Sequence, residues 1–390
     1  MGKRVLVAMS GGVDSSVAAY LLLEQGYECI GATMRLYDND LIDGANVPPN
    51  AHTCCSLDDV EDARSVAYRL GIPYHVMDFG ERFEECVVEK FVDAYENGRT
   101  PNPCIDCNRY LKFDALLKKA MQLDCDYIAT GHYARIMQDP SGRYSLRRGV
   151  DAQKDQSYVL YSLTQEQLAH TLLPLGELDK PEVRRIAEEQ GFINARKHDS
   201  QDICFVPDGN YGSFLERYTG KSLEPGNVLD QQGNVVGTHD GAQKYTIGQR
   251  KGLGVAMGYP AYVTDKDMAA NTVTIGPKQA LLSKGCYADD WNWIGQYQGE
   301  PMQVMVKSYY RQKPHAAWLT LESVGCGTDG SCRGDGDRGD GGERGGSSGG
   351  SGEIVKIEYE EPSVKAVAGQ AVVAYIGDSV LGGGTVTGYF

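Results

Sequence analysis

Residues 5–16 read Val-Leu-Val-Ala-Met-Ser-Gly-Gly-Val-Asp-Ser-Ser, and no other stretch restricts the fold of this chain as tightly. An apolar run breaks at Ser10-Gly11-Gly12 and passes into a helical apolar pattern over 17–23, so the segment spells strand, tight glycine turn, helix N-terminus. Such a turn aims successive backbone N–H groups and the positive end of a helix dipole at an anion, which makes it a phosphate cradle. The GxxxxGK[ST] spacing and its lysine are absent from it, so it is not a Walker loop. Two glycines alone would suit any strand-to-helix turn. The full run of Ser10 to Ser15 at the first strand goes beyond that need.

The first 135 residues continue the alternation. Strands are expected at 4–9, 28–36, 73–78 and 126–130, and helices at 17–25, 57–70, 83–97 and 113–123. Apolar strands separated by helices predict an α/β unit, a parallel sheet covered on both faces with its ligand at the carboxyl ends of the strands. The glycine turn and Thr130-Gly131-His132 would both lie there. A helix is expected over 181–190, with proline at its start. Strands at 228–236, 262–265 and 272–275 suggest a small central domain, and turn-bounded segments at 302–308, 317–324, 354–359, 370–376 and 383–389 a C-terminal β-barrel. The expected division is a catalytic domain at 1–205, the central domain at 206–280 and the barrel at 281–390. Within the barrel, residues 325–352 are nearly half glycine and too poor in apolar surface to offset the entropy of ordering. They are expected to be a disordered loop between two strands, with Cys326 and Cys332 incidental.

Composition narrows the partners. With 390 residues the chain has room for two or three domains. No run reaches the ~18 apolar residues of a membrane span, and the N-terminus enters a strand too soon for a signal-peptide core. The expected compartment is the cytoplasm, without a membrane partner, and there the eleven cysteines should be mostly reduced. A net charge of −15 argues at first against nucleic acid. The charge is uneven, however. Residues 99–154 carry ten Lys/Arg against six Asp/Glu, and Lys307, Arg311 and Lys313 interleave with Tyr309 and Tyr310. Basic patches bearing aromatic rings are compatible with RNA.

The Ser10–Ser15 run resembles the pyrophosphatase loop of enzymes that split ATP into AMP and pyrophosphate. Two cysteine features accompany it. Cys104-Ile105-Asp106-Cys107 follows the stiff Thr100-Pro101-Asn102-Pro103 and is a CxxC, open to zinc, redox and iron–sulfur readings. A structural zinc site would need four ligands, and the chain has no second CxxC. The redox-pair reading fails because this CxxC does not follow the first strand of a small domain. Cys204, in His198-Asp199-Ser200-Gln201-Asp202-Ile203-Cys204-Phe205, is either a small buried hydrophobe or a working thiol. Cys29, Cys86, Cys125 and Cys286 lie in apolar patterns and are expected in the core, and Cys54 and Cys55 are expected to be structural. An ATP-splitting loop with two such thiols suits one chemistry, activation of a carbonyl by adenylation followed by attack of sulfur. An ordinary thiol, with a pKa of roughly 8.5, is only a few per cent ionised at neutral pH. A persulfide is more acidic and suits the nucleophile's task.

Seven blocks, at 8–15, 100–108, 130–135, 154–158, 203–205, 248–254 and 381–384, together resemble the bacterial tRNA-specific 2-thiouridylases. The resemblance implies ATP on Ala8, Met9, Ser10, Gly11, Gly12, Val13, Asp14 and Ser15, with Met34 at the adenine side and Gly131 at the strand end. It implies Cys204 as persulfide carrier, Cys107 as the partner that resolves it through a Cys107–Cys204 disulfide, and a magnesium ion beside the triphosphate. Asn102, Pro103 and Cys104 would meet the target base, and His132, Lys154, Asp155, Gln156, Tyr309, Tyr310 and Gln370 would contact tRNA. Cys104 stands where better-known members carry aspartate, and Tyr309 where they carry arginine; a tyrosine can still stack on RNA. The implied reaction is ATP-dependent 2-thiolation of the wobble uridine, with tRNA and a sulfur-donor protein, a cysteine desulfurase or relay protein, as partners. Two alternatives stand beside it. Cys104, Cys107 and Cys204 could hold a [4Fe–4S] cluster for the same reaction, or the chain could be a different ATP-pyrophosphatase ligase.

Overall fold

A computed structural model describes residues 2–37, 57–197, 203–323 and 353–390. Its first sheet is the expected one. Strands β1 (Arg4–Ala8), β2 (Glu28–Arg35), β3 (Tyr74–Asp78) and β4 (Tyr127–Ala129) pair in parallel, in the order β3-β2-β1-β4. The central strand β1 buries Val5, Leu6 and Val7 completely, as a strand covered on both faces must. Helices α1 (Val13–Glu24) and α2 (Leu57–Leu70) follow β1 and β2. α1 lays Val17, Ala18, Ala19 and Leu22 on the sheet, and these small residues allow close approach.

Three further strands were not anticipated in the catalytic region. β5 (Ala134–Gln138) and β6 (Tyr144–Arg148) form a hairpin. A short β7 (Thr171–Leu172) extends the parallel sheet beyond β4. The expected helix at 113–123 begins earlier, as a nearly continuous helical run from Pro103 to Gln122 that starts at the prolines and includes Cys104 and Cys107. Nor was the helix Tyr211–Thr219, capped by the Asn210 side chain, read from the sequence.

The central four-stranded sheet runs β10-β11-β8-β9, from β8 (Gly226–Leu229), β9 (Val235–His239), β10 (Tyr262–Asp267) and β11 (Thr272–Gly276). The single strand expected at 228–236 is a hairpin instead. Asp230 Oδ1 accepts the N–H groups of Gln232 and Asn234, and Gly233 turns with φ +83°, which folds the chain back.

Beyond Leu281, six antiparallel strands close into a barrel: β12 (Leu282–Trp293), β13 (Met302–Lys307), β14 (His315–Ser323), β15 (Glu353–Val364), β16 (Ala371–Ile376) and β17 (Ser379–Tyr389). Closure comes from β12, which pairs with both β15 and β17. The β5–β6 hairpin adds to the barrel's sheet at β17, through Ser379↔Arg147. One core cluster accordingly runs from Leu111 and Phe113 through Tyr158 and Tyr161 into Ala371, Val373 and Tyr375. The seam between sheet and barrel is therefore a packed interior. The expected loop at 325–352, with Cys326 and Cys332, lies outside the described residues, as do Cys54, Cys55 and 198–202.

Candidate active site

The glycine turn has the conformation its sequence requires. Gly11 adopts φ +75°, and a Cβ there would sit 2.2 Å from the Asp59 carbonyl oxygen, so only glycine fits. Gly12 caps α1 with extended backbone angles and no side-chain cap, which leaves the first N–H groups of the helix for a ligand. The turn is braced from behind. Ser15 and Ser16 donate to the Gly12 carbonyl at 3.0 and 3.1 Å, Asn194 Nδ2 donates to the Gly11 carbonyl at 2.9 Å, and Thr33 donates to the Met9 carbonyl at 2.5 Å. Lys197 Nζ, tied to Asp59 at 2.7 Å and Asp62 at 2.5 Å, lies 3.4 Å from the same Gly11 oxygen.

Asp14 projects from the first turn of α1, and both its oxygens accept from Lys180 Nζ, at 2.7 and 2.8 Å. Tyr133 donates a further bond to Oδ1 at 2.7 Å. Lys180 opens the helix Lys180–Glu189, where Asp179 caps and Pro181 fixes the start. Nothing in the sequence pairs residues 166 positions apart, and this lysine was missed for that reason. Gly131 packs against the same turn: a Cβ on it would lie 2.7 Å from the Asp14 carbonyl carbon and 2.8 Å from the Ser15 nitrogen. Met34 is buried in β2. Beside Gly131, His132 is buried with Nδ1 2.7 Å from the Thr130 hydroxyl; burial, helped by the Lys112 charge, holds its pKa well below the ordinary range, so the ring is neutral.

The three cysteines stand in different surroundings. Asn102 caps the helical run with its side chain on the Cys104 N–H at 3.2 Å, leaving Cys104 exposed on the first turn while Cys107 is buried one turn on. Cys204 is half-buried. Its carbonyl accepts from Tyr37 at 2.7 Å, and the next residue, Phe205, anchors it in a cluster of Phe83, Phe91 and Phe214. The disulfide expected between Cys107 and Cys204 is not formed here. Among the described residues no three metal-ligating side chains converge, the set Cys104, Cys107 and Cys204 included, and the arrangement does not fit a cluster. Cys29, Cys125 and Cys286 are buried as expected, and burial pushes the thiols of Cys29 and Cys286 up to about 11; Cys86 is half-buried.

The residues expected to contact tRNA stand in different settings. Asp155 turns inward, its carboxylate accepting from the Gly149 and Ser157 N–H groups at 3.2 and 3.1 Å and from the Ser157 hydroxyl at 3.1 Å. Gln156 Oε1 accepts the Tyr133 N–H at 2.9 Å. The side chains of both residues thus shape the turn, with Lys154 beside them. Tyr309 and Tyr310 are exposed at the barrel rim, and Gln370 lies on the barrel loop, its N–H bonded to the Val367 carbonyl at 3.0 Å.

On the far side of the Cys104–Cys107 turn is a cleft of 420 Å³ between the helices and the barrel, walled by Lys90, Arg99, Asn102, Asp106, Arg109 and Asp290 among others. Arg109 grips Asp290 with both terminal nitrogens and so ties the helical run to β12. Burial pushes the Asp106 carboxyl up to about 6 against the opposing pull of Lys90 and Arg109.

A phosphate-cradling loop at the carboxyl edge of a parallel sheet, followed by a small β domain, defines an ATP-using catalytic domain of the HUP type. The family model described as the tRNA methyl transferase HUP domain matches residues 3–208, and that described as the tRNA methyl transferase PRC-barrel domain matches residues 212–277. Full-length relatives carry a different activity in their names. The tRNA-specific 2-thiouridylase MnmA of Symbiobacterium thermophilum is 47% identical over 99% of this chain and 92% of its own length. That of Carboxydothermus hydrogenoformans is 48% identical over 98% and 97%, and that of Clostridioides difficile 45% identical over 99% and 98%. The chain belongs to the tRNA-specific 2-thiouridylase family.

Proposed function

We propose that this protein converts the 2-carbonyl of the wobble uridine of tRNA into a thiocarbonyl at the expense of ATP, the domains being 1–205, 206–280 and 281–390. The carrying observation is the glycine turn, braced by Asn194 and Lys197 and presenting the free N–H groups of α1, in one molecule with an exposed, a half-buried and a buried thiol. Ala8 to Ser15 hold the triphosphate, with Met34 at the adenine and Gly131 closing the loop. A magnesium ion bound with the nucleotide would offset the charge of the phosphates, while Asp14 is engaged by Lys180 and Tyr133 and steadies the first turn of α1. Asn102, Pro103 and Cys104 meet the base, which an unpaired anticodon loop yields at a cost of about a few kcal/mol. His132, Lys154, Asp155, Gln156, Tyr309, Tyr310 and Gln370 belong to the RNA-facing surface.

The uridine O2 attacks the α-phosphate, pyrophosphate leaves, and the base becomes an adenylated imidate. The terminal sulfur of a Cys204 persulfide attacks C2 and AMP departs. The Cys107 thiolate then attacks the Cys204 sulfur, which frees the thiocarbonyl and leaves a Cys107–Cys204 disulfide for an external thiol to reduce. A sulfur-donor protein loads Cys204 in the cytoplasm. Incubating the protein with a tRNA transcript, ATP and a persulfide source, and quantifying 2-thiouridine by mass spectrometry with pyrophosphate release, tests the reading. One pyrophosphate per thiolated base is expected, with no product from Cys107→Ser or Cys204→Ser. Sustained turnover by either variant would overturn it.

A further inference from the structure

Two cations, the half-buried Arg148 and the buried Lys307, lie at the seam, where the described residues offer too little negative charge to balance them. Arg148, at the end of β6, has its Nε and one terminal nitrogen buried without a hydrogen-bond partner. Its guanidinium lies 4.2 Å from the Tyr375 ring centre. Lys307, at the end of β13, is 7% exposed, and its ammonium makes no ion pair or hydrogen bond among the described residues; its Nζ stands 5.6 Å from the ring centres of both Tyr158 and Tyr310. The two cations are close enough to repel each other, and burial together with that repulsion lowers the lysine's pKa despite the pull of Asp155. Asp155 is the acid within reach, and its oxygens already serve Gly149 and Ser157.

Buried charges are normally paired, because removing an ion from water costs more than aromatic faces return. Here, among the described residues, the balance is two positive charges to one negative, with donors left over. We propose that Arg148 and Lys307 form a binding site for one backbone phosphodiester of the substrate RNA, which seats the strand next to Cys104. A phosphodiester carries a single negative charge and so neutralises the site, whereas a triphosphate would overfill it and has its own loop with Lys180 and Lys197. The place is right as well. Tyr310, over which Lys307 sits, is partly exposed and lies within electrostatic reach of Cys104. An arginine with free donors is well suited to grip phosphate oxygens. This inference rests on the reading of the substrate as tRNA.

The test uses the full chain, Lys307→Met, Arg148→Met and the charge-keeping Lys307→Arg and Arg148→Lys, with the tRNA transcript as probe. Each methionine variant should weaken RNA affinity about 10- to 100-fold, as loss of a charged hydrogen bond does. Each should also flatten the logarithmic salt dependence by about 0.7, the share of one single-stranded phosphate. The KM for ATP should not change, and the charge-keeping variants should retain most of the affinity. In anticodon stem-loops bearing one neutral methylphosphonate at a time, a single position should weaken the parent and leave the methionine variants unaffected. Unchanged RNA affinity and salt slope in folded Lys307→Met would overturn the proposal, as would a rise confined to the KM for ATP, which would make the anion the nucleotide's. Absence of tRNA binding by the parent protein would sink the substrate reading itself.

Discussion

Lys180→Met removes the cation that holds Asp14 and keeps the volume of the side chain. In the folded protein the ammonium is 9% exposed and lies 2.7 and 2.8 Å from the two carboxylate oxygens, while the Asp14 side chain is 30% exposed. Breaking a fully buried pair by deleting one partner costs about 3–5 kcal/mol. Asp14 keeps the Tyr133 hydrogen bond and some water, so the cost should fall to about 2 kcal/mol. For a cooperative unit of 150–250 residues that is a drop in Tm of about 4–8 °C. Asp14→Asn should cost a similar amount, and the double variant clearly less than the sum, with a coupling of about 1–2 kcal/mol. Thermal and urea unfolding followed by circular dichroism measure all three. Additive effects, or a Lys180→Met penalty inside experimental scatter, would refute the claim that this pair fixes the first turn of α1.

Gly131→Ala pushes a methyl group against backbone atoms of Asp14 and Ser15 that cannot swing aside, so it should destabilise by about 1–3 kcal/mol and raise the KM for ATP several-fold; wild-type kinetics would show that the strand end does not press on the loop. Asp106, with its folded pKa raised from 3.8 to about 6, favours the folded state fully below about pH 3.8 and loses that contribution as pH rises through 6. Asp106→Asn should therefore gain about 2 kcal/mol over the parent above pH 6.5, allowing for water that still reaches the carboxyl, and nothing at pH 3.5; equal unfolding midpoints across that range would contradict the buried-carboxyl account. Ser323 pairs with Glu353 in the β14–β15 ladder, so the ends of the connection already meet. Replacing residues 326–350 by a short turn should change stability by no more than about 1 kcal/mol, since closure entropy depends weakly on length; collapse of the fold or of thiolation would give that segment a role.

Local chemistry wrote much of this molecule into its sequence. The glycine turn was legible because a strand, a positive-φ glycine and a bare helix N-terminus leave a signature within twelve residues. Four parallel strands, the helix Leu57–Leu70 and five barrel strands showed in the same way, through periodicities of two or 3.6 residues ended by turn formers. Cys107 and Cys204 stood out because of their neighbours in the chain. The β5–β6 hairpin was not legible, because its partner β17 lies more than two hundred residues away and short half-buried strands have little pattern of their own. Nor could local sequence announce that Lys180 meets Asp14, that Arg109 holds Asp290, or that Arg148 and Lys307 share one buried seam. Backbone conformation depends on near neighbours and can be read from them. Which charges face each other across a packed interior is settled only when distant segments dock, and in this protein that docking joins the glycine-turn domain to the barrel.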